Sequence, residues 1–178
     1  MKAINLGNRR VLSTVLKLII PAMTAQFINV LYSIVDRMYV GNIAGAGTQA
    51  LAGLGVVFPI TLIVSAFANL VGMGGAPLAS IFLGEKKPQN ANKIFNAGVG
   101  MLILFSVLLT AAVLSCCDGL VRLFGAPTDA FAYARGYLFV YGCGTIFVMF
   151  SLGLNPFITA QGFSVTSMLT VAIGAALN

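Results

Sequence analysis

Gln26, Asn29, Ser33 and Asp36 follow one another at intervals of 3, 4 and 3, and Tyr32 lies four residues before Asp36. At 3.6 residues per turn these side chains share one face of a helix. The surrounding residues are apolar, so a helix here would carry a carboxylate into a bilayer. That costs about 2.5–3.5 kcal/mol on the insertion scale. Such a group persists only where it faces a polar cavity, a partner or an ion. Withdrawal from water also stabilises the neutral form of a carboxyl group. A second reading is open, in which Asp36 and Arg37 form an ordinary polar pair at the outer membrane surface. The apolar Met38-Tyr39-Val40 that follows favours burial slightly.

Other segments echo the pattern. Thr61, Ser65 and Asn69 are spaced by four, as are Tyr137, Tyr141 and Thr145, and Ser167, Thr170, Gly174 and Asn178 follow at helical spacing. Four polar stripes could line one cavity. For Ser and Thr the plainer reading is hydrogen bonding between helices. Asn69, Asn155 and Asn178 are costlier to bury and more suggestive. Gln26, Asn29, Asn69, Tyr141 and Asn155 are the predicted cavity residues.

The elements that must position these residues are legible from charge. Ten Lys and Arg and four Asp and Glu are bunched so that residues 18–35, 38–84, 94–117 and 136–178 hold none. Crossing ~30 Å of hydrocarbon takes ~20 mostly apolar residues. The charged fraction is 8%, against roughly 25% in an average soluble domain. The expectation is an all-α polytopic membrane bundle with about five transmembrane helices, over 11–40, 51–83, 97–116, 133–155 and 164–178. Gly84-Glu85-Lys86-Lys87-Pro88 ends the second, since Gly and Pro stop helices and charge prefers water. A polar connection containing Asp118, Arg122 and Asp129 precedes the fourth. Asn155-Pro156 and Gln161-Gly162 mark the break before the fifth. With the N-terminus inside, Lys2, Arg9, Arg10, Lys17, Lys86, Lys87 and Lys93 fall on cytoplasmic flanks and only Arg37, Arg122 and Arg135 opposite. That bias predicts a multi-pass cell-membrane protein with a cytoplasmic N-terminus. The last segment is short of a full crossing and carries no stop signal, so the chain reads as the front part of a larger protein.

Several classes fall away. The +6 net charge invites a nucleic-acid partner, but the basic residues flank apolar runs instead of forming a patch. Cys116, Cys117 and Cys143 are an odd set without a pairing pattern, and there is no His, which argues against a zinc site or a Cys/His catalytic pair. They read as small apolar packing residues. The basic start and apolar stretch of residues 1–25 resemble a signal peptide, but Lys17 and Pro21 interrupt it, so it is taken as the first crossing. Gly72-Met73-Gly74-Gly75 lacks the Lys and the preceding strand of a phosphate loop. An aspartyl enzyme needs two membrane carboxylates, and only Asp36 qualifies. No enzyme activity and no cofactor is expected, and membrane lipid is the expected surrounding partner.

The order of short motifs carries a family resemblance. Pro21, Ile34-Val35-Asp36, Val40-Gly41, Ala50-Leu51-Ala52-Gly53-Leu54-Gly55, Asn69-Leu70-Val71-Gly72-Met73-Gly74-Gly75-Ala76, Leu83-Gly84-Glu85-Lys86-Lys87, Leu123-Phe124-Gly125-Ala126 and Ala160-Gln161-Gly162 together resemble the multidrug and toxic compound extrusion (MATE) transporters. The resemblance implies twelve helices in two six-helix halves, of which this chain would supply the first five, the C-terminal half being absent. It implies efflux of organic cations in exchange for H⁺ or Na⁺, with Na⁺ possible at Asp36. It implies a coupling role for Asp36, with Tyr32 and Asn178 near the same cavity, and a bending role for Pro21. A lipid-linked oligosaccharide flippase shares the fold and is the alternative. A flippase cavity should be strongly cationic to grip diphosphate, whereas the first four helices show no Arg or Lys in mid-span.

Overall fold

Where side chains are apolar on every side and water is absent, the backbone must satisfy its own polar groups, and a helix does so within one segment. A computed structural model describes residues 11–177, with side chains from 15 to 176, and follows that rule. Its elements are α1 (Val11–Gly41), α2 (Gly47–Gly84), α3 (Pro88–Ser115), α4 (Cys117–Leu123), α5 (Thr128–Ala160) and α6 (Ser164–Leu177), with no strand among the described residues. Four of these, α1, α2, α3 and α5, are long and apolar enough to cross a membrane; α6 is apolar but shorter. α2 has 38 residues. At 1.5 Å per residue it spans ~57 Å, so it must tilt or project beyond the hydrocarbon.

Several helix boundaries differ from the sequence expectation, α2 and α5 beginning at Gly47 and Thr128 and not near 51 and 133. The third helix begins at Pro88, not near 97, because Pro at the first helical position forgoes only an N–H that would be orphaned anyway. Part of the polar connection is the short helix α4, stitched to α5 by an Asp118–Arg135 ion pair at 2.5 Å. The expected break at Asn155-Pro156 does not occur: α5 runs through Pro156 to Ala160. A proline removes one ladder bond, and the buried Gly153 and Phe157 on either side hold the helix in place. The chain turns instead at Gln161-Gly162, where Gly162 takes φ 88°.

The core is a three-helix unit of α2, α3 and α5. On α5 the buried residues are Ala130, Ala134, Leu138, Gly142, Thr145, Met149, Gly153 and Phe157. Nearly all are four apart, forming one ridge. The facing stripe of α2 includes Ala50, Gly53, Val57, Ile60, Val64, Ala68, Val71 and Gly72. Small residues let the backbones meet. A Cβ on Gly53 would lie 2.9 Å from the Ala134 nitrogen, and one on Gly72 would lie 2.8 Å from the Gly153 carbonyl oxygen. Leu102, from α3, fills the space beside Gly153, fully buried.

α1 stands apart from this unit. None of its most apolar stretch is buried, whereas 28% of the corresponding stretch of α2 is. It packs chiefly along α6 and touches α2 lightly, near the Gly41–Gly47 turn. α6 is tied back to α5 through Asn155. The result is two walls, α1 with α6 and α2 with α5, facing each other across open space.

Candidate functional site

The space between the walls is a cavity of about 990 Å³. α1 contributes Asn29, Tyr32, Ser33, Asp36 and Arg37. The 3–4–3 spacing does this: a stripe that cannot face hydrocarbon cheaply turns toward the open volume between the walls. α2 contributes Leu54, Gly55, Phe58, Thr61 and Ser65, and α5 contributes Tyr137, Tyr141, Phe147 and Ser151. Thr170 and Gly174 of α6 close the side.

Each polar wall is ordered by its own helix. Thr61 Oγ1 donates to the Phe58 carbonyl at 2.8 Å and Ser65 Oγ to the Thr61 carbonyl at 2.9 Å. Tyr141 and Ser65 line the cavity from α5 and α2. Tyr137 and Tyr141 stack one turn apart, centroids 6.4 Å and planes 12° apart. Tyr137 also lies within electrostatic range of Asp36 and Tyr32. Asp36 and the two tyrosines thus line one cavity from different helices. Two prolines touch the same region. Pro59 and Pro156 each remove the helical donor from the carbonyl four residues earlier. Those carbonyls belong to Gly55 and Leu152, and both residues line the cavity.

The predicted site residues separate into groups. Asp36, Tyr32, Asn29 and Tyr141 are brought together on the cavity wall. Gln26 lies on the same stripe of α1 but is exposed and outside the lining, and Asn69 is half-buried on α2, also outside it. Asn155 is a clamp, not a lining group. Its Nδ2 donates to the Ser167 carbonyl at 3.3 Å and Thr170 Oγ1 at 3.1 Å, and its Oδ1 accepts from Ser167 Oγ at 2.6 Å. Asn178 lies outside the described residues. Pro21 sits inside an α1 that is helical throughout its described length. Thr145, predicted to share the tyrosine stripe, is fully buried and donates to the Tyr141 carbonyl at 3.1 Å.

Sequence reasoning missed several members of the site, and two of them bear on its chemistry. Arg37, read as an outer flank, lines the cavity beside Asp36, its guanidinium 5.4 Å from the centroid of the Phe58 ring. Phe58 itself looked like one more apolar residue. The adjacency of Asp36 and Arg37 was the available signal for the first, and nothing local marked the second.

Residues 21–178 match the model of the MatE family. The chain belongs to that family. Among relatives, it is 27% identical over 182 residues to the probable multidrug resistance protein YpnP of Bacillus subtilis, covering all of this chain and 40% of that protein. It is 22% identical over 159 residues to the multidrug export protein MepA of Staphylococcus haemolyticus, covering 89% of this chain and 35% of that one. Among solved structures, the MATE multidrug transporter DinF-BH aligns with TM-score 0.91 and 30% identity, over 99% of this chain and 39% of that one. The chain therefore spans 35–40% of the length of these relatives. For this MATE chain the helical bundle is the family's fold, and the relatives are named as export or resistance proteins, not as enzymes.

Proposed function

We propose that this lobe belongs to a secondary antiporter that exports organic cations from the cell in exchange for H⁺ or Na⁺, with Asp36 as the shared cation site. One observation carries the reading: the carboxylate on α1 lines a large cavity walled by Tyr32, Tyr137 and Tyr141, in a chain of the MATE family. Ionised Asp36 attracts a lipophilic cation, and the tyrosine faces contribute cation–π attraction worth about 0.5–2 kcal/mol. When Asp36 takes a proton or Na⁺, that attraction falls and the drug leaves outward. A membrane potential adds ~2.3 kcal/mol per charge moved through 100 mV. Alternating access comes from one helical unit rocking against another, so the activity is proposed for the full natural protein. The bias of seven Lys and Arg against three supports a cell-membrane protein with a cytoplasmic N-terminus.

The flippase alternative is not favoured, because the cavity's one Arg is matched by its one Asp. The test is efflux of a fluorescent organic cation from cells producing the full natural protein with Asp36→Asn. Export should fall roughly tenfold or more, the scale of a charge-assisted contact. Wild-type export by that variant refutes the assigned site.

A further inference from the structure

The cavity carries two charges of opposite sign on consecutive residues, Asp36 and Arg37. Consecutive side chains on a helix point about 100° apart, so the two cannot pair closely with one another. The ion pairs among the described residues are Lys87–Glu85 and Arg135–Asp118; neither uses Asp36 or Arg37. Arg37 is held by an aromatic face instead, its guanidinium 5.4 Å from the Phe58 centroid. A guanidinium stacked on a ring keeps its N–H fork along the edge available to a planar anion. On the opposite wall, the near-parallel rings of Tyr137 and Tyr141 supply aromatic lining for a ring system.

We propose that Arg37 is a specificity-determining residue: it receives an anionic group of the substrate while Asp36 holds the cationic one, so that aromatic zwitterions are preferred over matched aromatic monocations. The proposal rests on the antiporter reading of the same cavity and deepens it. A cavity with only Asp36 would rank substrates by positive charge. With Arg37 beside it, a positive charge stands at the Phe58 end of the cavity. A monocation gains from Asp36 and is repelled by Arg37, whereas a zwitterion of the right length gains from both. Each neutralised contact of this kind is worth about tenfold in affinity.

The experiment uses rhodamine B, a zwitterion at neutral pH, and its ethyl ester, a monocation with the same ring system. Their equilibrium binding is measured by fluorescence polarisation to the full natural protein in nanodiscs. Wild type should bind the zwitterion more tightly. Arg37→Gln should weaken zwitterion binding roughly tenfold and leave the ester equal or tighter. Equal losses for both probes in a variant that still binds them measurably, or a wild type that prefers the ester, overturn the proposal. If Arg37→Gln binds neither probe, Arg37→Lys decides. Retained preference for the zwitterion supports the assignment, and its loss overturns it. Asp36→Asn is the separate control on the underlying reading. Undiminished ester binding there removes the antiporter site, whatever Arg37 does.

Discussion

Asp36 and Asn155 are both polar groups set in apolar helices, and they meet that cost differently. Asp36 faces the cavity, while Asn155 commits its amide to three hydrogen bonds with Ser167 and Thr170, fixing α6 to α5. Asn155→Leu should therefore lower thermal stability by about 1–2 kcal/mol, three interhelical bonds at the ~0.6 kcal/mol typical in membranes, with dye affinity nearly unchanged. A variant that lost dye binding at full stability would return Asn155 to the cavity. Cysteine chemistry offers a second check at this scale. Burial, reinforced by the Asp118 carboxylate, pushes the Cys117 thiol up, while its neighbour Cys116 is exposed. A maleimide at pH 7 should label Cys116 first, with Cys117 reacting slowly and faster as pH rises; equal labelling would contradict the burial. The α1 stripe was legible because period and polarity are both local properties. The role of Asn155 was not, since its partner lies twelve residues on, beyond a turn that the sequence placed before it.

The α2–α5 seam depends on the absence of side chains. A Cβ on Gly72 would meet the Gly153 carbonyl at 2.8 Å and the Pro156 ring at 3.0 Å, whereas one on Gly100 of α3 meets nothing within 4 Å. Gly72→Ala should cost about 1–3 kcal/mol by overpacking, and Gly100→Ala should be neutral or stabilising. Melting curves of the two variants check this, and a Gly72→Ala protein as stable as Gly100→Ala would show that the seam is loose. Long helices were legible as charge-free runs. α4 was not, because seven residues carrying Asp118 and Arg122 hold no apolar period to read. Pro156 misled for a physical reason: a lost ladder bond ends a helix only where packing does not hold the next turn.

At the scale of the whole molecule, helix pairing was invisible in the sequence. When nearly every face is apolar, hydrophobicity cannot distinguish lipid from a neighbouring helix, so the polar stripes suggested a shared cavity but not that α1 would lean on α6 and face α2 and α5 across it. Orientation is more accessible. With the N-terminus inside, Lys86→Cys should be labelled by an impermeant reagent only from the cytoplasm and Asp129→Cys only from outside; the reverse pattern would invert the account. The central claim is that Asp36 holds either the drug or the coupling ion. It is tested most directly by binding a fluorescent organic cation to the full natural protein in nanodiscs while titrating H⁺ and Na⁺, in wild type and Asp36→Asn. The account predicts that one of the two ions displaces dye from wild type competitively, and that the variant binds weakly and ignores both. Dye binding to the variant with wild-type affinity and wild-type ion dependence would contradict it.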